Sequence, residues 1–247
     1  MTTIYLIRHG QTDTNTHDGF NGCATDQPLN AVGLEMVARL TPALAQVPFD
    51  AIYASHLRRA VQTAEAVRGT RDMALRIDPR LRETDFGFLD GKTWQAAKAA
   101  YPLPCREWVK RPATFRAPGA EESVRDVSVR IFSAFLQILR ENRGKTVAIV
   151  AHGMVFSLLT AKLLGVKVKH YRRLPMLANA SYRVLHIEDD GHISLNEWEQ
   201  NAHLEPSWRS RPRHLRNRIR RERCNIPRRA FCAALKMKKR EAERYGN

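Results

Sequence analysis

Between residues 3 and 187 the chain alternates short, densely apolar runs with longer stretches whose apolar residues recur every three or four positions. Runs of the first kind read as strands buried on both faces. Their alternation with helical segments points to an α/β fold, a mainly parallel sheet with helices on both sides. Strands are expected at 3–8, 51–54, 75–77, 146–151, 182–187 and 193–198, and helices at 31–46, 57–68, 92–100, 123–141 and 155–164. In such sheets ligands bind beyond the carboxyl ends of the strands, so the residues just after each apolar run matter most. Ile4 to Ile7 leads into Arg8-His9-Gly10, and the run from Val147 to Ala151 leads into His152-Gly153. Two histidines at neighbouring strand ends can share one pocket.

A neutral imidazole is able to attack phosphorus directly, and an adjacent guanidinium offers a planar fork of donors to phosphoryl oxygens. Arg8 also disfavours protonation of His9, which keeps that ring nucleophilic. Two more segments carry polar groups of the same kind: Ser55-His56-Leu57-Arg58-Arg59-Ala60, and Leu81-Arg82-Glu83-Thr84-Asp85-Phe86-Gly87. Taken in order, the four segments resemble the histidine phosphatase superfamily, the phosphoglycerate-mutase-like enzymes. The resemblance runs from Thr3 to about Leu204.

That resemblance implies a phosphoglycerate-mutase-like three-layer sandwich and a role for each motif residue. His9 is the implied nucleophile, which becomes a phosphohistidine, and Glu83 the implied proton donor to the leaving oxygen. Arg8, Arg59, His152 and Asn15 are implied to surround the phosphate. The spacing Ser-x-Leu-x-Arg-Ala selects Arg59 over Arg58. No metal or cofactor is implied. Two departures stand out. The segment Gly19-Phe20-Asn21-Gly22 replaces the Arg-x-Gln-Gly of many relatives, and His56 stands where aspartate is common. Glu83 and His152 lie only 69 positions apart, without the long insertion of glycolytic mutases, and Asp85 to Gly91 resembles the phosphatase branch. Hydrolysis of a small phosphorylated metabolite is therefore expected. Mutase-type phosphotransfer and a non-catalytic phosphate-sensing domain with a polyanion-binding tail are the alternatives.

Pro102, Pro104, Pro112 and Pro118 break up the stretch from Tyr101 to Gly119, which reads as a long irregular connection. Its Arg106, Lys110, Arg111 and Arg116 would suit an anionic substrate as well as they would suit solvent. Cys23, Cys105, Cys224 and Cys232 form no CxxC pair, and no histidine stands at zinc-ligand spacing, so reduced thiols in a cytoplasmic protein are expected. No basic leader or bilayer-length apolar stretch is visible, so neither secretion nor membrane insertion is expected. Residues 1–204 are expected to form one catalytic domain. Residues 205–247 hold 15 Lys and Arg against 4 Glu, so most of the formal charge of +16 lies there. Such an extension can bind nucleic acid or another polyanion without sequence preference.

Overall fold

The computed structural model of the chain describes residues 1–209 apart from Asp18 and Asn196. Six strands form one sheet: β1 (Thr2–Arg8), β2 (Ala51–Ala54), β3 (Leu75–Ile77), β4 (Thr146–Ala151), β5 (Tyr182–Ile187) and β6 (Ile193–Ser194), in the order β3-β2-β4-β1-β5-β6. Four of them, β3, β2, β4 and β1, run parallel, whereas β5 is antiparallel to both of its neighbours. The register decides where polar residues emerge. Arg8 lies opposite Ala151 and Ala54 opposite Val150, so β1, β4 and β2 end side by side. The residues that follow them are His9, His152 and Ser55.

The helices are α1 (Asp13–Thr16), α2 (Ala31–Ala43), α3 (Arg58–Arg68), α4 (Trp94–Ala100), α5 (Pro102–Lys110), α6 (Val124–Glu141) and α7 (Gly153–Leu163). Alternate strand residues enter different cores, which explains why the central strands are apolar on both faces. Leu6, Val147 and Ile149 pack with Val127, Ile131 and Phe135 of α6 and with Val155 and Leu158 of α7. Ile7, Ala148 and Val150 pack with Met36, Val37 and Leu40 of α2 and with Ala60 and Ala64 of α3. Helix α6 starts where Ser123 and Asp126 cap one another reciprocally, Ser123 Oγ accepting from Asp126 N and Asp126 Oδ2 from Ser123 N.

Two sequence expectations need correcting. The proline-rich stretch is not wholly irregular, because α5 occupies its first half. Pro102 and Pro104 fall in the first turn of that helix, where backbone N–H groups have no intrahelical partner and the fixed φ suits helix entry. The last strand stops at Ser194, short of Trp198. The Trp198 indole instead donates to Pro175 O at 3.0 Å and lies 4.1 Å beneath the Arg183 guanidinium. Helix α1, which carries Asn15, had no counterpart in the sequence reading.

Beyond Leu204 the chain still touches the body of the protein. Glu205 pairs with Arg39 at 2.7 Å, the same guanidinium lies over the Trp208 ring, and Arg209 Nε donates to Leu204 O. Residues 210–247, which hold nearly all of the basic extension with Cys224 and Cys232, lie outside the described residues. Among the described residues no helix is long and apolar enough to cross a membrane.

Candidate active site

His9 leaves the end of β1 with its ring fixed by its neighbour. Its Nδ1 lies 2.6 Å from Gly10 O; a carbonyl only accepts, so Nδ1 carries the proton and Nε2 keeps its lone pair. The backbone around it is pinned from three sides. Gly10 N donates to Thr63 Oγ1 at 3.1 Å, Ala180 N donates to His9 O at 3.0 Å, and Asn179 Nδ2 donates to the carbonyls of His9 and Gly10. Gly33 of α2 lets this loop approach closely, since a Cβ there would overlap the Gln11 backbone. Burial pushes the His9 pKa well below its usual value, and Arg59 and Arg8 push it further. The ring is thus held neutral.

The arginines are committed to backbone carbonyls while keeping one edge unpaired. Arg8 Nη1 donates to Leu177 O at 2.6 Å, and its pKa is lowered to about 10 by desolvation, against the pull of Glu83 and Glu199. Arg59, fully buried, donates from Nη1 to Thr25 O at 2.6 Å and from Nη2 to Gly22 O at 2.8 Å. Asp90 braces that loop by accepting from Gly22 N, Ala24 N and Thr25 Oγ1. The unusual Gly19 to Gly22 segment therefore contributes one of the two carbonyls that hold Arg59, that of Gly22. The Nε atoms of Arg8 and Arg59 are buried without a hydrogen-bond partner.

His152 caps the N-terminus of α7, and its ring centroid stands 5.1 Å from that of His9. Ser55 Oγ lies 2.9 Å from His152 Nε2 and also takes the Leu57 N–H. The hydroxyl has a proton and a second lone pair to offer, so it can meet Nε2 in either tautomer of the ring, whose other nitrogen is Nδ1. That Nδ1 is buried and unpartnered, and burial followed by Arg59 lowers the pKa of the ring.

Glu83 has both carboxylate oxygens on main-chain donors: Oε1 accepts from Thr84 N at 2.9 Å, and Oε2 from Met154 N at 3.0 Å, in the first turn of α7. These donors and the nearby arginines favour the ionised form, yet burial outweighs them and the pKa is raised. The Asn15 side-chain oxygen accepts from Thr12 N, Thr12 Oγ1 and Asn179 Nδ2.

Arg8, His9, Asn15 and Glu83 line a cavity of about 700 Å³. Arg59 and His152 are not among the lining residues, and the Arg59 charge helps to lower the His9 pKa. All six sequence candidates thus converge on one end of the sheet. The cations of the proline-rich stretch do not. Arg111 faces Glu107, Arg116 faces Asp126, and Arg106 and Lys110 flank a separate shallow hollow on α5. That stretch contributes Trp108 to the cavity wall instead. Among the described residues no three His, Cys, Asp or Glu side chains gather at metal-ligating spacing.

Residues 4–201 match the histidine phosphatase superfamily (branch 1). The chain belongs to this superfamily. A glucosyl-3-phosphoglycerate phosphatase of Mycolicibacterium vanbaalenii is 32% identical over 76% of this chain and 86% of its own. A metal-independent phosphoserine phosphatase of Arabidopsis thaliana is 28% identical over 83% and 84%. Among solved structures, Bacillus stearothermophilus YhfR superposes with a TM-score of 0.73 at 32% identity, covering 79% of this chain and 95% of that one. The protein is accordingly an enzyme, a phosphatase built on the phosphoglycerate-mutase-like fold.

Several residues that shape the site of this phosphatase carried no sequence signal of their own. Ser55 stands inside a motif without a role, yet its hydroxyl lies 2.9 Å from His152 Nε2. Asn179 and Arg172 lie far from any motif, and only the fold brings them to the cavity; Asp90 lies within the Asp85 to Gly91 segment, but its bracing of the Gly22 to Thr25 loop depends on the fold.

Proposed function

We propose that the enzyme hydrolyses small phosphomonoesters in two steps through a phosphohistidine on His9. In the first step Nε2 attacks phosphorus, the bond between phosphorus and the ester oxygen breaks, and the leaving oxygen takes the proton held by Glu83. In the second, water attacks the phosphohistidine, its proton passes to the Glu83 carboxylate, and the bond between nitrogen and phosphorus breaks to release phosphate. The unpaired Nε atoms of Arg8 and Arg59, His152 in its Nδ1-protonated tautomer and the Asn15 amide nitrogen supply donors to the oxygens that carry charge as phosphorus moves between the two partners.

The observation that carries this reading is the pairing of opposite pKa displacements. His9 is held neutral with Nε2 free, while the neighbouring Glu83 is pushed toward its protonated form. A nucleophile and an acid are thereby separated by environment, as a two-step transfer requires. A bound phosphate dianion raises the acid further. The names of the relatives support a phosphorylated metabolite as substrate.

The test is to incubate the enzyme briefly with a ³²P-labelled phosphomonoester and quench in alkali, in which phosphohistidine survives. Label is expected on His9 and absent from His9→Ala. Label on another residue, or full activity in His9→Ala, overturns the mechanism. Return of the label to an acceptor alcohol in preference to water would make the enzyme a mutase.

A further inference from the structure

The cavity extends well past the phosphate-handling groups. Its 700 Å³ exceeds what a phosphoryl group needs, so the remainder faces the leaving group. That outer part is walled by Phe20, Phe86, Trp94 and Trp108, whose rings stand 5.0 to 6.0 Å apart in edge or tilted contacts. One cation enters this apolar wall. The Arg172 guanidinium lies 3.9 Å over the Trp108 ring and donates from Nε to Tyr171 Oη at 3.1 Å. Its Nη2 is buried without a hydrogen-bond partner, and none of the ion pairs among the described residues includes it. Stacking on the indole and the Tyr171 bond fix the plane of the fork, so little freedom remains to be lost when a ligand binds.

The position of Arg172 relative to the reacting atoms follows from a short chain of contacts. Met154 N donates to Glu83 Oε2, Met154 Sδ meets Tyr171 Oη at 3.8 Å, and Tyr171 Oη accepts from Arg172. Arg172 is therefore linked to the Glu83 carboxylate through Tyr171 and Met154. In the two-step reaction proposed above that carboxyl serves the leaving oxygen, which departs opposite the attacking His9 Nε2. An anion held at Arg172 belongs to the leaving alcohol and not to the phosphoryl group.

Resting on the phosphatase reading above, we infer that Arg172 is a specificity-determining residue that binds a carboxylate on the alcohol portion of the substrate. An unpaired guanidinium edge in an apolar, partly dehydrated wall prefers a planar anion that can take both Nη groups. Leaving that edge empty penalises substrates without one. The aromatic rings around it accept the carbon skeleton between phosphate and carboxylate. The substrate class is thus a phosphomonoester of a hydroxy acid with an apolar or extended body.

The experiment compares kcat/KM on matched esters differing only in the carboxylate: phosphoserine with phosphoethanolamine, and carboxyphenyl phosphate with phenyl phosphate. Wild type is expected to favour the acid of at least one pair. Arg172→Gln is expected to reduce that preference by about 10- to 100-fold, the factor of one charge-assisted fork, with a much smaller loss on the neutral ester. Arg172→Lys, which keeps the charge but not the fork, is expected to fall between the two. Thermal melts of each variant separate this loss from misfolding. No preference in wild type, or equal proportional losses on both members of each pair, overturns the assignment. Nitrophenyl phosphate turnover with label on His9 reports the parent reading separately. If both vanish, the two readings fail together. If they persist with an unmoved ratio, only the role of Arg172 fails.

Discussion

Glu83→Gln separates structural from chemical roles at one position, because the two effects have different sizes. Both carboxylate oxygens accept main-chain N–H groups, whereas an amide has one oxygen and one NH₂. The substitution therefore sets an NH₂ against either Thr84 N or Met154 N and leaves one buried donor unpaired, a cost of about 1–3 kcal/mol. Removing a carboxylate that burial already disfavours offsets part of this. The variant should fold, melting no more than about 10 °C below wild type at roughly 2–4 °C per kcal/mol. The chemical effect is larger. General acid catalysis contributes about 10²- to 10⁴-fold, so hydrolysis of alkyl phosphates should fall by that factor. Nitrophenyl phosphate, whose leaving group needs little protonation, should still phosphorylate His9 rapidly.

Since the proposed mechanism uses Glu83 in the second step as well, steady-state rates would mix the two. Stopped-flow release of nitrophenolate resolves them: the variant should give a burst approaching one equivalent per site, followed by slow turnover. The pH profile adds a check of sign. The protonated carboxyl is the competent form, so alkyl phosphate turnover in wild type falls as pH rises through the raised Glu83 pKa, and Glu83→Gln should lack that limb. A slow first step on nitrophenyl phosphate, reduced as much as on an alkyl ester, would refute the assignment of Glu83 as acid.

Gly153→Ala places a Cβ 3.1 Å from Arg8 Cζ and Nε and 2.5 Å from Met176 Sδ; Met176 can yield, but Arg8 is tied to Leu177 O. Displacing that fork by a few tenths of an ångström should lower kcat about tenfold while the melting temperature stays near wild type, and unchanged kcat would sever Arg8 from the chemistry. The depressed pKa values of His9 and His152 mean that the unfolded chain binds more protons below pH 6.5, so their stabilisation is present above that pH and is lost as pH falls. Glu83, with a raised pKa, acts in the opposite sense. The comparison is therefore with His152→Gln: the stability difference from wild type should change by about 1.4 kcal/mol per pH unit below 6.5 in urea melts, and parallel curves would contradict it. If residues 210–247 bind polyanions, the full chain should hold a DNA oligonucleotide with an affinity that falls steeply with salt. A chain ending at Arg209 should lose that binding and keep phosphatase activity; retained binding would place the contact elsewhere.

What the sequence revealed and what it withheld follow from the range of the interactions. Arg8, His9 and His152 were legible because each follows an apolar strand directly, and the parallel register alone brings strand ends together. Arg59 and Glu83 were legible through local spacing within their segments. The helix at Pro102 is hidden in the sequence because proline breaks a helix at interior positions, whereas in a first turn it removes no hydrogen bond. Trp108 and Arg172 were invisible for a different reason. They stand 64 residues apart in the sequence and meet only because α5 and the turn after α7 fold over the same cavity. Ser55 illustrates a subtler limit: its identity was noted, but its role depends on the β2 to β4 register that sets its hydroxyl beside His152.

The electrostatics of the site explain why so many buried polar atoms are left unpaired. Two guanidinium Nε atoms and His152 Nδ1 have no partner in the protein, and each such atom weakens the fold when no ligand is present. A fold selected for stability alone would pair them. Here the backbone carbonyls of Leu177, Thr25 and Gly22 fix the orientation of Arg8 and Arg59 through their Nη atoms, and the Nε donors stay unpaired. The desolvation that lowers the Arg8 pKa to about 10 is the same condition that makes its field strong at phosphorus, because no water has to reorient as charge moves. Arg172 repeats the arrangement on the leaving-group side, with an indole ring in place of carbonyls as the support. Recognition and catalysis then rest on one device, a guanidinium held rigidly by part of its surface while the rest is left for the substrate.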